Sequence, residues 1–215
     1  RFQFFAGQYI DVLLREGKRR SYSMGNPPHR NEYLELHVRS MANGTFTKQV
    51  FETLKEKDIL RFEGPLGTFF LREETEKPII LVASGTGFAP IKSIIEYTFE
   101  KKMSRTMVLY WGGRRPKDIY MSELANQWQD EYDNFTFIPV VSDRELEDEW
   151  TGRTGLVHVA AMTDYPDMTN YEVYSCGVPV MVEAAHKDFT EKCKLPKEAF
   201  FSDAFTPSVD SKKKQ

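Results

Sequence analysis

The stretch from Pro78 to Tyr97, PIILVASGTGFAPIKSIIEY, constrains this chain more than any other. Ile79 to Val82 is an apolar run too short for most helices and right for a buried strand. Ser84-Gly85-Thr86-Gly87 breaks it, and Pro90 follows where a first helical turn tolerates a missing N–H. Ile91, Ile94, Ile95 and Thr98 then fall at helical spacing. The unit reads as strand, glycine turn, helix. Such a turn gathers bare backbone amides at the positive end of a helix dipole, which suits a phosphate. An ordinary strand-to-helix connection has the same pattern, so the turn alone leaves its role open.

The surrounding chain narrows the choice. Its 215 residues are 40% hydrophobic, enough for one large domain or two small ones with a real core. A formal net charge of -3 offers no electrostatic case for nucleic acid. No apolar run approaches the ~20 residues of a membrane-spanning helix. The 2 cysteines, Cys176 and Cys193, are too few to hold an iron–sulfur cluster or a structural zinc. They form no disulfide framework, so a cytoplasmic setting is expected. The chain opens at Arg1, shows no signal-peptide pattern, and reads as a piece of a longer protein.

The first third reads as β. Strands are expected at Gln8 to Leu14, Tyr33 to Val38, Asp58 to Phe62 and Thr68 to Leu71, with Gly64-Pro65-Leu66-Gly67 as a turn. Phe46, Val50, Phe51 and Leu54 mark one face of a short helix. Short strands at this spacing predict an antiparallel β-barrel. Charged residues Glu73 to Lys77 read as a linker, which divides the chain into 1–74 and 75–215. Beyond it, strands at Ile79–Ala83, Thr106–Trp111, Phe135–Val141 and Glu172–Ser175 alternate with helices near Pro90–Phe99, Met121–Glu131, Leu156–Met162 and Pro179–Lys192. That order predicts an α/β, doubly wound parallel sheet, with ligands beyond the C-terminal strand ends. Gly85, Gly112, Ser142 and Cys176-Gly177 all follow such ends. The polar tail from Val209 to Gln215 is expected to fray.

Several short motifs have chemical uses and ordinary ones. Arg20-Ser21-Tyr22-Ser23 offers a guanidinium for a pyrophosphate, a phenol to cover a planar ring, and hydroxyls to reach ring nitrogens. It also fits a polar edge strand. Gly44-Thr45-Phe46-Thr47 would bring amides and hydroxyls to a phosphate, or simply cap a helix. Cys176-Gly177-Val178-Pro179 opens a helix, where a thiol has reason to be polarised, although buried structural cysteines are common. The 4 histidines show no metal-ligand spacing, and only His37 lies in a strand beside the expected site.

In order, Gly7-Gln8-Tyr9, Arg20 to Ser23, Gly44 to Thr47, Gly64 to Gly67, Gly85 to Pro90, Tyr110-Trp111-Gly112-Gly113-Arg114, Cys176 to Met181 and Phe200 to Phe205 resemble the ferredoxin–NADP reductase superfamily. The resemblance is strongest to bacterial reductases that also carry a plant-type [2Fe–2S] domain, including oxygenase reductase components and the CDP-6-deoxy-hexoseen reductase type. It runs over nearly the whole chain. It implies that Arg20 contacts the FAD pyrophosphate, that Tyr22 lies against the isoalloxazine, and that Ser23 lies near flavin N5. Ser21 belongs to the same motif. His37-Val38-Arg39 would follow the ring edge and ribityl chain, and Gly44, Thr45, Phe46 and Thr47 would close over the pyrophosphate. Gly85, Thr86, Gly87, Ala89 and Pro90 would bind the nicotinamide dinucleotide. Cys176 and Gly177 would sit by nicotinamide C4, and Asp203 and Phe205 would approach the flavin. Gly112, Arg114, Ser142, Pro179 and Met181 complete the cofactor-binding candidates. Tyr22, Ser23 and Cys176 are the catalytic ones.

The resemblance implies hydride transfer from NADH or NADPH to FAD, then single-electron release to an iron–sulfur acceptor. The [2Fe–2S] group would belong to a ferredoxin domain or partner protein outside this chain. Relatives carry a further strand or two before the Gly-Gln-Tyr region, so the barrel is expected to be incomplete at its N-terminus. Acids flank Arg144 in Ser142-Asp143-Arg144-Glu145, which tilts the expectation towards NADH. Two other readings use the same motifs: an NAD(P)H:flavin oxidoreductase that releases reduced flavin, and a non-catalytic interaction module.

Overall fold

The computed structural model describes residues 2–41, 44–145 and 147–206. The expected two-part architecture is present: an antiparallel three-stranded sheet followed by a parallel six-stranded one. The tail expected to fray, 209–215, and the first residue lie outside the described residues.

In the first part β1 (Tyr9–Leu13) pairs with β2 (Arg19–Ser23) on one side and β3 (Arg61–Leu66) on the other. Alternation sends Ile10 and Val12 of β1 into a small core with Phe4, Met24 and Phe46. α1 (Thr45–Lys48) carries Phe46 into that core and continues as a wider turn over Gln49–Thr53. Phe51 is not on the buried face as expected; it points outward.

Three strand expectations do not hold. Tyr33 to Val38 forms only a single bridge, Leu36 to Met24. The Asn26 side chain accepts from the Glu35 amide at 2.8 Å and donates to the Tyr33 and Arg30 carbonyls. It thus takes backbone groups that a ladder would have used. The strand expected at Asp58 begins at Arg61, because Lys55 to Asp58 is still turning, with Lys57 at φ 74° and Asp58 accepting from the Lys55 amide. Gly64-Pro65-Leu66 therefore lies inside β3 rather than in a turn. Thr68 to Leu71 is not a strand; its Leu71 amide reaches the Ala6 carbonyl at 3.3 Å.

The second part follows the expected alternation. Strands β4 (Ile79–Ser84), β5 (Met107–Gly113), β6 (Phe135–Val141), β7 (Arg153–Thr154), β8 (Glu172–Gly177) and β9 (Phe200–Ala204) run in the order β7-β6-β5-β4-β8-β9, all pairs parallel. α2 (Phe88–Glu100) and α3 (Ser122–Glu131) cover one face. α4 (Val157–Asp164) and α5 (Pro179–Lys192) cover the other. Ile79, Leu81 and Ala83 of β4 face the first layer while Ile80 and Val82 face the second. The two short strands β7 and β9 were not expected. β7 has two residues, below the reach of periodicity, and β9 takes its place as an edge strand on β8.

From β4 the chain works outward through β5 and β6 to β7, then crosses back to lay β8 on the other side of β4. The direction of winding reverses between β4 and β8, and the crevice at their C-terminal ends is where such sheets bind ligands. Among the described residues no helix is long and apolar enough to cross a membrane.

Candidate functional site

At the reversal point two loops approach with only backbone between them. A Cβ on Gly87 would lie 2.2 Å from the Cys176 carbonyl oxygen. Gly177, at φ 142°, would place a Cβ 2.1 Å from Ser84 Oγ. Side chains are sterically excluded at both positions, so the Gly85–Gly87 turn seats directly on Cys176-Gly177. Ser84 Oγ accepts from the Val178 amide at 3.0 Å and ties the two loops. α2 begins at once after the turn, so its amides and positive dipole end face the crevice. Ala89 and Pro90 are buried in its first turn and form the wall behind the amides.

β8 and β9 complete this rim. Cys176 pairs with Asp203, and the Phe205 amide donates to the Gly177 carbonyl at 2.7 Å. Cys176 is fully buried, and burial, with Asp203 adding, pushes its thiol well above the usual range. Of the two readings of this thiol, complete burial favours the structural one over the polarised one. Burial likewise raises Asp203. Met181 lies behind, accepting from the Ser175 hydroxyl at 3.8 Å, with Pro179 as the first residue of α5.

The antiparallel sheet carries the other candidates. β2 carries Arg20, Ser21, Tyr22 and Ser23, and Tyr9 pairs with Ser23. The Tyr9 phenol is raised chiefly by burial, then by the charges of Asp11 and Asp203. Tyr22 packs on Phe46 at 5.3 Å and is raised by burial, with Arg20 opposing. Ser21 donates to Asp11 at 2.6 Å. Ser23 Oγ is buried and has no hydrogen-bond partner. An orphan hydroxyl of this kind calls for an acceptor or donor from a bound group. Gly44 caps α1, and Thr47 donates to its carbonyl at 3.0 Å, with Thr45 opening the helix.

Beside the glycine turn lies a cavity of about 290 Å³ lined by His37, Val38, Arg39, Gly85, Thr86, Lys117, Asp118, Tyr120 and Met121. Arg39 and Lys117 bring positive charge to it, and Asp118, paired with Arg39, brings one carboxylate. The expected candidates Gly112, Arg114 and Ser142 stand further along the sheet: Ser142 donates from its amide to Gly113, and Arg114 pairs with Asp143 at 2.9 Å. The connection through Lys117 and Tyr120 was given no role from sequence. Its position after β5, at a ligand-binding end of the sheet, was the signal available.

Residues 1–71 match the oxidoreductase FAD-binding domain family and residues 81–187 the oxidoreductase NAD-binding domain family. The CDP-6-deoxy-L-threo-D-glycero-4-hexulose-3-dehydrase reductase of Yersinia pestis is 45% identical over 97% of this chain and 61% of that protein. The NAD(P)H-flavin reductase of Aliivibrio fischeri is 32% identical over 94% of this chain and 86% of that protein. The crystal structure of an Amycolatopsis cytochrome P450 reductase superposes with a TM-score of 0.88 at 33% identity, covering 96% of this chain and 62% of that one. The chain belongs to the ferredoxin–NADP reductase superfamily. Within this superfamily chain the antiparallel half is an FAD-binding domain and the parallel half an NAD-binding domain. The chain spans about three fifths of the Yersinia relative's length. In these terms the orphan Ser23 hydroxyl, the Arg20 guanidinium and the Tyr22–Phe46 pair fit a flavin wall. The bare Gly85–Gly87 turn fits a dinucleotide.

Proposed function

We propose that this chain is the flavin- and nucleotide-binding part of a reductase that takes hydride from NAD(P)H onto FAD and passes single electrons to an iron–sulfur acceptor. The acceptor would be a [2Fe–2S] ferredoxin domain or protein serving an oxygenase or a similar electron-transfer system. The division at residues 74 and 75 belongs to the same proposal, as do the residue roles. The observation that carries it is the seat at the β4–β8 reversal, where Gly87 and Gly177 leave room for backbone only. The orphan Ser23 hydroxyl on the facing sheet supports it.

FAD, when bound, supplies the chemistry: it accepts a hydride and returns electrons singly. The chain's own residues bind, orient and exclude water. Arg20, with Gly44 to Thr47, would hold the flavin pyrophosphate, and Tyr22 would cover the ring. Ser23 would offer its hydroxyl to the reacting edge of the flavin. Gly85, Thr86 and Gly87 would hold the dinucleotide phosphates against the start of α2. Cys176 and Gly177 would form a dry wall at the nicotinamide, and Asp203 and Phe205 would approach the flavin. These walls would position the two cofactors and exclude water, and hydride transfer would need no general acid or base from the chain.

NADH is the proposed donor. Arg114 pairs with Asp143, while Arg115 is held bidentately by Asp148 at 2.7 and 3.0 Å and also pairs with Glu145. Both guanidiniums are thus neutralised by carboxylates that would repel a 2′-phosphate. Two free, buried cysteines fit a cytoplasmic setting.

The test is an anaerobic NADH titration of FAD-reconstituted protein, read by visible absorbance. Bleaching of bound flavin is expected, with kcat/KM for NADH above that for NADPH. Absence of flavin binding, or of bleaching by either nucleotide, sinks the proposal. The flavin reductase reading has one observation in its favour, the 86% coverage of the Aliivibrio relative. A flavin band that leaves the protein on gel filtration would select it.

A further inference from the structure

His37 entered as a flavin-edge residue, yet both of its ring nitrogens are already engaged. Nε2 lies 2.7 Å from Glu35 Oε1, and Nδ1 lies 2.5 Å from the Tyr120 hydroxyl. Its side chain is only 7% exposed. Glu35 is lowered to about 2, first by the His37 hydrogen bond, with Lys92 adding to it against burial. Its carboxylate therefore only accepts, and Nε2 carries the proton. Nδ1 on the other side of the ring is left to the Tyr120 hydroxyl, which can serve as either donor or acceptor. Burial raises the Tyr120 phenol above its usual range, with Glu35 and Cys176 adding, so the hydroxyl keeps its proton.

The two partners of this bond come from opposite halves of the chain. His37 belongs to the FAD-binding half. Tyr120 follows β5 in the NAD-binding half and stands edge-on to Trp111 at 5.1 Å. Trp111 is stacked on Phe88 at 3.8 Å and donates from its indole nitrogen to the Gly85 carbonyl at 3.1 Å. Tyr120 is thus one ring away from the glycine turn. Glu35, behind His37, meets Lys92 of α2 at 3.2 Å, so the histidine is braced from the NAD-binding half as well. On the other rim Arg39 reaches Asp118 at 3.6 Å. All of these residues surround or brace the same cavity.

We infer that Tyr120 and His37 form a clasp between the two halves that sets the width of the nucleotide cavity beside Gly85 and Thr86. Tyr120 is a positioning residue that lies outside the motifs read from the sequence. His37 acts through it rather than by binding a cofactor atom with its nitrogens. The role in nucleotide affinity rests on the NAD(P)H reading above; the clasp itself does not.

The experiment compares Tyr120→Phe, His37→Phe and the double variant in the FAD-loaded chain. Tyr120→Phe deletes one hydroxyl and keeps the aromatic packing. Loss of one hydrogen bond at the rim should raise KM for NADH by about fivefold. The Kd of NAD⁺ from calorimetry should rise by a similar factor, with a smaller change in kcat. The double variant should be no worse than the poorer single one, because both delete the same bond. Amide exchange over residues 114–121 should quicken in both single variants. Unchanged exchange in Tyr120→Phe overturns the clasp, as do effects on KM that multiply in the double variant. A fall in KM in Tyr120→Phe also overturns it, since the bond would then be a barrier. If wild-type protein neither binds NAD⁺ nor oxidises NADH, the functional reading fails and the exchange data alone judge the clasp. If His37→Phe does not fold, the exchange and KM of Tyr120→Phe still decide.

Discussion

In the six-stranded sheet every residue of β4 from Ile79 to Ala83 is buried, whereas in β1 of the three-stranded sheet only Ile10 and Val12 are. Helices cover both faces of the first sheet. The second has one small core and leaves Phe5, Phe51, Ile59 and Phe62 exposed, Ile59 at 90%. A strand covered on two faces is held by its own hydrophobicity, and its position in sequence follows from the apolar run. A strand covered on one face depends on register, turns and side-chain hydrogen bonds that compete with the ladder. The halves also meet differently from how each is built. Ala6, Phe69 and Leu71 join the core under α2, but the contact is sealed by polar groups: Lys92 donates to Gly25 at 3.1 Å and Ser93 to Asn26 at 2.9 Å.

The same substitution in the two sheets should give unequal results. Ile80→Ala, at the centre of the parallel sheet, is expected to cost about 4 kcal/mol, and Ile10→Ala about 2 kcal/mol, because the thinner core collapses more easily around a void. Denaturant unfolding measures both, and equal losses would break the contrast. Next in size is Lys92→Met at the junction. It leaves Glu35 and Glu96 without their shared cation and should cost about 2–3 kcal/mol. Faster amide exchange concentrated in 23–37 would locate the loss at the contact between halves. Exchange that rises evenly would deny the junction its special role.

Smaller effects sharpen the picture. Glu35 has a folded pKa of about 2 against an ordinary 4.5, so its contribution is complete above pH 4.5 and is lost as pH falls towards 2. Glu35→Gln should flatten stability over that window and leave the slope elsewhere unaltered; an unchanged acid limb would remove Glu35 from the junction. The smallest stability effect is expected from Ser23→Ala, under about 0.5 kcal/mol, since the deleted hydroxyl has no partner to lose. Flavin reduction by NADH should nonetheless slow by about tenfold or more in that variant, as for a lost hydrogen bond to a charged group. A wild-type reduction rate would take Ser23 out of the site.

Parts of the site were legible for the same reason as the strands. Gly85 to Gly87 and Cys176-Gly177 stand at the ends of apolar runs, so their place at the sheet's C-terminal rim followed from the runs themselves. Tyr33 to Val38 was misread as a strand because alternation says nothing about Asn26, seven to nine residues away, competing for its backbone. Tyr120 was missed because its partner, His37, lies 83 residues earlier in the chain. The thiol of Cys176 had two readings, polarised at a helix start or buried and structural; its complete burial favours the second.

Local order, from the apolar runs to the glycine turns between them, was written in the sequence, and with it the two-part fold and the family. These features depend on residues within one element, where periodicity carries the information. Tertiary structure alone decided that Gly87 and Gly177 press backbone on backbone, that Ser23 is left without a partner, and that His37 reaches Tyr120 across the junction. Such contacts join residues far apart in the chain, and only packing sets which of them meet.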